Sequence, residues 1–272
     1  MALYHRDGDR YVPTGSTRGP WDPTAQNGGP VSALAATAAL RHDDAGAPAA
    51  GNHVLARLTV DLVRPAPLTP LTVATTTVRP GRKVQLVEVR ILAGDDVVTR
   101  ALALRMPAAH PDVAPSTDVP PPFPDDLAPD PLPPPVPGAE LFHVDGAEVR
   151  ARRAGEARPV PLPVWVRLRQ EVIEGEETLP SALAAAASDF GSGITGVSPP
   201  GWRSINVDVD LHLVRPPRGP WVCYLAESHA SSGVGLAGGP LYDREGRIGH
   251  ALQSVLVEPW GGAFPPPRSP AP

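Results

Sequence analysis

Apolar and polar residues alternate strictly in one stretch of the second half of the chain. From residue 205 to residue 213 every odd position is apolar, while the even positions carry Asn206, Asp208, Asp210 and His212. A period of two is typical of a β-strand with one buried face. The pattern therefore predicts a single strand and places Asn206 on the same polar face as Asp208 and Asp210.

Two Ala-rich stretches, at residues 30–42 and 180–189, have the composition of helices. Alanine has the highest intrinsic helix propensity, and Pro30 and Pro180 suit the first turn of a helix, where no backbone donor is needed. Small side chains also let a helix lie close against a sheet. We therefore predict one central helix in each half of the chain.

Each predicted helix is followed by a series of segments that alternate or are rich in β-branched residues, which is typical of strands. Turn sequences, Gly94-Asp95-Asp96 and Asp243 to Gly246, precede the last segment of each series. The predicted strands cover residues 54–63, 71–79, 84–92 and 97–106 in the first half and residues 205–213, 221–229, 234–242 and 247–257 in the second half.

The two halves also share short sequences in the same order. Ser-Ala-Leu-Ala-Ala begins at residues 32 and 181, Leu-Val-Arg-Pro at residues 62 and 213, and Ala-Leu at residues 101 and 251. The offsets are 149, 151 and 150 residues. Three matches in order at a nearly constant offset indicate a tandem duplication of one α+β unit with antiparallel strands.

Proline-rich segments divide the chain. Residues 111–138 contain two runs of three prolines and predict an extended linker, because proline lacks a backbone donor and fixes φ. We expect an N-terminal unit at 1–110, this linker, a C-terminal unit at 139–262 and a disordered tail at 263–272.

Composition excludes several classes of protein. Hydrophobic residues make up 42% of the chain, which is enough for a core, and the net charge of −5 without a basic stripe argues against nucleic-acid binding. The single cysteine, Cys223, excludes an intrachain disulfide and a cysteine-cluster metal site, and the histidines form no close ligand pair, so we expect no metal. The chain carries neither a secretory signal nor an apolar run of about 20 residues, so we expect a cytoplasmic protein with no membrane span.

Four motifs connect the chain to a known family. They are the stretch from Trp21 to Ala39 with Asn27-Gly28-Gly29, the triplet Ala187-Ser188-Asp189, residues 227–233, and residues 243–253. In order and spacing they resemble the acyl-CoA thioesterase II family and the wider thioesterase-like superfamily. The resemblance implies a double hotdog fold, in which two central helices are each wrapped by an antiparallel sheet. It also implies hydrolysis of a fatty-acyl or related acyl thioester, carried by CoA or by an acyl carrier protein, without a cofactor.

The resemblance also implies a hydrolytic site. In the family an Asp, a Thr or Ser, and a Gln are thought to bind the attacking water, and these positions match Asp189, Asn206 and Gln253. Asn206 departs from the family because it replaces the hydroxyl. The first repeat carries Leu40 and Ala103 where the second carries Asp189 and Gln253, so we expect one site for the whole chain.

The oxyanion of thioester hydrolysis needs aimed N–H donors, and a helix N-terminus provides them. Asn27, Gly28 and Gly29 precede the first predicted helix, and glycine lets the backbone approach a substrate closely. We therefore hypothesise that the first copy supplies the oxyanion donors and the second copy supplies the water-binding side chains. The site would then lie between the two copies.

Each candidate residue also has a structural interpretation. Asp189 would be an ordinary polar residue at a helix C-terminus, Gln253 a buried amide satisfied by backbone, Asn206 a solvated side chain, and the glycines plain turn residues. Likewise, Trp21, Trp202 and Trp221 would pack in the core, although they would also suit the wall of an acyl tunnel.

Two other functions share the predicted fold. One is the hydration or dehydration of an enoyl or 3-hydroxyacyl thioester, which such enzymes usually carry out with a His paired with an acid. The other is non-catalytic binding of an acyl thioester, which the Asn at position 206 favours. Double hotdog units also often assemble further, so we expect that a homo-oligomer can form.

Overall fold

The computed structural model describes residues 1–43, 53–108, 113, 118–123, 139–151, 161–195 and 201–260. The predicted tail at 263–272 and most of the predicted linker at 111–138 lie outside these residues. The domain boundaries therefore stay predictions.

The described residues form three α-helices and fourteen strands, with a short 3₁₀-helix at Gly15–Thr17 and a π-helical turn at Phe142–Gly146. The helices are α1 (Gly28–Arg41), α2 (Pro180–Ser188) and α3 (Gly191–Thr195). The strands are β1 (Ala2–Asp7), β2 (Arg10–Pro13), β3 (His53–Asp61), β4 (Leu71–Arg79), β5 (Gln85–Ala93), β6 (Asp96–Pro107), β7 (Ala147–Ala151), β8 (Leu162–Leu168), β9 (Glu171–Ile173), β10 (Trp202–Asn206), β11 (Asp208–Leu213), β12 (Val222–Ser231), β13 (Val234–Asp243) and β14 (Gly246–Pro259).

The strands form one sheet whose order shows the duplication in three dimensions. Starting from β3, the first half of the sheet runs β3-β6-β5-β4-β2-β1. Starting from β11, the second half runs β11-β14-β13-β12-β8-β7, which is the same order of equivalent strands. Strand β9 pairs in parallel with β1, and β10 pairs with β14. The predicted tandem repeat of one α+β unit is thus confirmed.

The two copies meet where β3 and β11 pair antiparallel. Thr59 of β3 pairs with Asp210 of β11, and these residues are 151 positions apart, the offset of the two Leu-Val-Arg-Pro sequences. An internal two-fold axis therefore passes through this pair. It places α1 beside α2, and the alanines of both helices, except the partly buried Ala38, are buried in a shared core.

Both Ala-rich helices are confirmed, with α1 beginning two residues earlier than predicted. The predicted strand at 71–79 coincides with β4, and the other predicted strands, except that at 205–213, lie within a few residues of their observed bounds. Strands β1, β2, β7, β8 and β9 were not predicted. They have three to seven residues each, and partners distant in sequence decide their pairing, as when β9 joins β1.

The predicted single strand at 205–213 is wrong, because a β-bulge divides it at Val207. Asn206 pairs with Val255 and Asp210 pairs with Leu252, so three residues of one strand face two of the other. One extra residue reverses the alternation of side chains. Val207 is accordingly 46% exposed, and Asn206 turns towards the helices. The prediction that Asn206 shares a face with Asp208 and Asp210 is therefore also wrong.

The first copy has the same bulge. Its register shifts between Leu55 and Arg57, where β3 pairs with β6. Leu55 lies 151 residues before Asn206 and is fully buried. The bulge is thus a feature of the repeated unit, and it directs one side chain of each copy inwards.

The arginines of the repeated Leu-Val-Arg-Pro sequence form ion pairs in different surroundings. Arg215 donates from Nη2 to Asp243 Oδ1 at 2.7 Å, and the Asp243 side chain is fully buried. Burial acts to raise the pKa of Asp243, but hydrogen bonds from Arg215 and two backbone amides outweigh it and hold that pKa below its ordinary value. Arg64, the counterpart of Arg215, pairs instead with Asp96, and both of these side chains are exposed.

Replacing Arg215 by Ala should therefore destabilise the fold far more than replacing Arg64 by Ala. The first change leaves a buried carboxylate without its cation, which costs about 3–5 kcal/mol. An exposed pair contributes at most about 1 kcal/mol. Urea unfolding of both variants at neutral pH measures the difference. Equal losses of unfolding free energy would contradict the structural role of Arg215.

Candidate active site

The carboxylate of Asp189 lies between the two copies. Asp189 ends α2 of the second copy as its C-terminal cap and is 6% exposed. Asn206 donates a hydrogen bond from Nδ2 to Asp189 Oδ1 at 2.7 Å. From the first copy, the backbone N–H of Gly29 also donates to this carboxylate. A Cβ added to Gly28 would overlap with Asp189 Oδ1, so a larger residue at this position would displace the carboxylate.

Four of the six predicted site residues therefore come together at one point: Gly28 and Gly29 from α1, and Asp189 and Asn206 from the second copy. Asn27 lies beside them as the N-cap of α1, where its Oδ1 accepts a hydrogen bond from Gly29 N at 3.0 Å. An N-cap of this kind fixes the first turn of the helix.

Burial raises the pKa of Asp189 to about 6. The hydrogen bonds from Asn206 and from the Gly29 amide act in the opposite direction, because they stabilise the charged form. The balance leaves a carboxylate that is ionised at neutral pH and more basic than an ordinary Asp. A group with these properties can accept a proton from a water molecule.

Gln253, the sixth predicted residue, holds the turn that carries Asp189. Its side chain is fully buried on β14. Its Oε1 accepts from Ser192 N and its Nε2 donates to Ser188 O, both at 2.9 Å. These two bonds are the ones expected if Gln253 is a buried amide satisfied by backbone groups. An amide retains capacity for one further hydrogen bond at each end.

Sequence reasoning missed the aromatic residues around this point. Phe190 follows Asp189, and its ring lies 5.8 Å from that of Phe142. A Cβ added to Gly29 would lie 2.7 Å from Cε1 of Phe142. Phe142 belongs to the π-helical turn, whose sequence has no periodic pattern. Its aromatic character next to the linker is the only sequence feature that could have indicated it.

The equivalent place in the first copy is apolar. Leu40, Leu55 and Ala103 take the positions of Asp189, Asn206 and Gln253, and the shared bulge directs Leu55 inwards as it does Asn206. Leu55 and Ala103 are fully buried. Within the described residues, this polar set therefore exists in the second copy alone.

The three candidate tunnel tryptophans lie in different places. Trp21 packs edge-on against Trp260 with ring centroids 5.5 Å apart. Trp221 packs in a separate hydrophobic cluster with Trp165, as expected for core packing. Trp202 is 43% exposed at the start of β10.

Among the described residues, no group of three or more His, Cys, Asp or Glu side chains is arranged to hold a metal ion. The helices in the described part of the chain are too short or too polar to cross a bilayer.

Two family models match the chain in succession. Residues 17–106 match the acyl-CoA thioesterase N-terminal domain, and residues 115–257 match the acyl-CoA thioesterase C-terminal domain. Together the two matches span most of the chain. A search of the curated proteins found no match.

Several solved structures share the fold. The tesB protein of Mycobacterium avium subspecies paratuberculosis is 19% identical, with 94% of this chain and 96% of that chain covered at a TM-score of 0.66. A hot dog fold protein of Alicyclobacillus acidocaldarius is 19% identical, with coverages of 94% and 95% and a TM-score of 0.70. The acyl-CoA thioesterase II TesB2 of Mycobacterium marinum is 21% identical, with coverages of 89% and 92% and a TM-score of 0.65. These likenesses confirm the predicted double hotdog fold.

The raised pKa of Asp189 predicts a pH-dependent contribution to stability. The folded state holds this proton more tightly than the unfolded state does, so the contribution is complete below the ordinary pKa of 3.8 and is lost as pH rises through about 6. The difference corresponds to about 3 kcal/mol. Replacing Asp189 by Asn should remove this dependence. Urea unfolding at several pH values from about 4 to about 8 compares the unfolding free energy of the variant with that of wild type.

The control for this comparison is Asp95→Asn, which makes the same change in an exposed turn. If the unfolding free energies of Asp189→Asn and Asp95→Asn both change with pH as that of wild type does, the carboxylate of Asp189 does not have a raised pKa in the folded protein.

Proposed function

The chain belongs to the acyl-CoA thioesterase family, and we propose that it hydrolyses an acyl-CoA to a free acid and CoA with a water activated by Asp189. Membership makes the protein a thioester hydrolase. The observation that supports this site is the buried Asp189 carboxylate, with a pKa of about 6, facing the N-terminus of α1 from the other copy.

In the proposed reaction Asp189 acts as general base. Its carboxylate takes one proton from water while the water oxygen attacks the thioester carbonyl carbon. The resulting tetrahedral intermediate carries its negative charge on the former carbonyl oxygen. The carbon–sulfur bond then breaks, the oxyanion returns to a carbonyl, and the leaving thiolate takes up the proton from Asp189.

The N-terminus of α1 suits the oxyanion. Its first N–H groups have no partner within the helix, and the helix dipole favours negative charge there. Gly29 N–H already donates to Asn27 and Asp189. The proposed oxyanion donors are therefore the backbone N–H of Gly28 and the side-chain amide of Asn27.

Asn206 and Gln253 assist Asp189 in this proposal. Asn206 fixes the orientation of the carboxylate through its Nδ2 bond and favours the ionised form. Gln253 holds the turn and has a further amide N–H for the water. An Asn in the hydroxyl position still donates the hydrogen bond that the carboxylate needs, so the departure from the family is compatible with hydrolysis.

The acyl group is proposed to be a fatty acyl or a similar apolar group. Phe142 and Phe190 give the neighbourhood of Gly29 an apolar wall. CoA is the carrier that the family description names. An acyl carrier protein substrate, a role in lipid metabolism, a cytoplasmic location and a homo-oligomer stay predictions.

Hydrolysis is tested by thiol release from a panel of acyl-CoA substrates with short, long and aromatic acyl groups. Wild type should release CoA, and Asp189→Asn should lower kcat by about 10²–10⁴-fold with little change in KM, because the base is lost and binding is kept. Asp95→Asn is the matched control and should retain wild-type kcat.

Other outcomes separate the alternatives. Saturable acyl-CoA binding without thiol release from any substrate would mean a binding protein. Water addition to an enoyl-CoA without thiol release would mean a hydratase. Thiol release from acyl carrier protein thioesters alone would mean that the same hydrolysis acts on a different carrier.

The pH dependence of kcat should show the protonation of Asp189. Since a protonated carboxyl cannot accept a proton, kcat should fall as pH decreases through about 6 and stay level just above it. Initial rates on the best substrate of the panel measure this acid limb. An acid limb near the ordinary pKa of Asp, or none at all, would argue against Asp189 as the base.

A further inference from the structure

Tyr224 is a buried aromatic residue on β12 near Asp189. Its side chain is 1% exposed. Its hydroxyl donates to the carbonyl oxygen of Ala251, two residues before Gln253 on β14, at 3.2 Å. This is longer than the usual O–H···O range of about 2.5–3.0 Å. This single long hydrogen bond therefore does not explain why a buried tyrosine occupies this position.

The ring of Tyr224 packs against the turn that carries Asp189. We call residues 189–192 the site turn, which links α2 to α3. A Cβ added to Gly191 would lie 2.8 Å from Cε1 of Tyr224 and 2.9 Å from Oε1 of Gln253. The middle of the site turn is thus in close contact with both side chains. Gln253 is also hydrogen-bonded to Ser188, just before the site turn, and to Ser192, its last residue.

Tyr224 also belongs to the residues that differ between the two copies. It pairs with Leu241 on β13, while Val73 of β4 pairs with Ile91 on β5. Leu241 and Ile91 are 150 residues apart, so Val73 is the counterpart of Tyr224. The second copy therefore has a tyrosine near Asp189 where the first copy has the smaller, apolar Val73.

Proton transfer is an unsuitable role for this tyrosine. Burial first, and then the charge of Asp189, raise the pKa of Tyr224 above its ordinary range. The hydroxyl is therefore neutral wherever Asp189 is ionised. What the ring can supply is contact with the site turn and exclusion of water from one side of the carboxylate.

We propose that Tyr224 is a positioning residue of the hydrolytic site: with Gln253 it clamps the site turn, so that the Asp189 carboxylate stays shielded from bulk water and directed at the N-terminus of α1. The inference rests on the proposed function. Misplacing a catalytic group by about 1 Å can cost about 10²-fold in rate, so a clamp of this kind contributes to kcat without touching the substrate.

The test compares Tyr224→Val, which installs the residue of the first copy, with Tyr224→Phe, which keeps the ring. Tyr224→Val should lower kcat about 10- to 100-fold and leave KM within about threefold. It should also shift the acid limb of the kcat profile to lower pH, because water entering the vacated space weakens the desolvation of Asp189. Tyr224→Phe should keep the acid limb near that of wild type.

Tyr242→Val is the matched control. Tyr242 is a buried tyrosine of the separate cluster with Trp165, so its replacement should leave kcat and the acid limb unchanged. If Tyr224→Val loses rate without moving the acid limb, or if Tyr242→Val produces the same changes, Tyr224 is only a packing residue and the proposal is overturned.

A second variant tests the contact itself. Gly191→Ala adds the Cβ that Tyr224 and Gln253 exclude, and Tyr224→Val removes one of the two obstacles. The double variant should therefore lose less kcat than the product of the two single losses. Independent, multiplicative losses would mean that the ring and the site turn do not act together.

Failure of the proposed function can be distinguished from failure of the clamp. The Asp189 carboxyl resonance can be titrated by ¹³C NMR in wild type and in Tyr224→Val without any substrate. If wild type hydrolyses no thioester, the proposed function fails, and a lower Asp189 pKa in the variant still supports the clamp. An unchanged Asp189 pKa in the variant overturns it.

Discussion

The antiparallel pairing of β3 with β11 is the interaction on which the rest of the molecule depends. It joins two copies of one unit into a continuous sheet, with the internal two-fold axis at Thr59 and Asp210. Because each copy carries its helix at a fixed place relative to this strand, the pairing sets α1 against α2. The N-terminus of one helix then lies against the C-terminal cap of the other, and Asp189 is buried between them.

The repeated unit carries different side chains at the same structural position in its two copies. Both contain a bulge that turns one side chain inwards, and the bulge costs one unpaired residue in each ladder. In the first copy that side chain is Leu55 and completes an apolar core. In the second copy it is Asn206 and bonds to a carboxylate. Duplication thus provided one half that stabilises the fold and one half free to become polar at matched positions.

A buried carboxylate is costly, and the surroundings of Asp189 reduce this cost without removing it. Ionisation against a pKa of about 6 costs about 3 kcal/mol at neutral pH, a large part of the stability of an ordinary domain. The hydrogen bonds of Gln253 to Ser188 and Ser192 hold this buried turn in place. The same burial that destabilises the fold makes the carboxylate a better base, which is a common compromise at functional sites.

The sequence alone determined the parts of this protein that local chemistry and repetition encode. The Ala-rich helices, most strands and the tandem repeat could be predicted, because helix propensity, alternation and a constant offset are local signals. The candidates Asp189 and Gln253 came from the resemblance to the family, and Gly28 and Gly29 from their position before the first helix. The tertiary structure decided the rest. A single inserted residue reversed the face of Asn206, since alternation cannot reveal which strand gains a residue relative to its partner. The short strands, the place of Phe142 and the contact of Tyr224 with Gly191 depend on partners distant in sequence, which only the folded chain brings together.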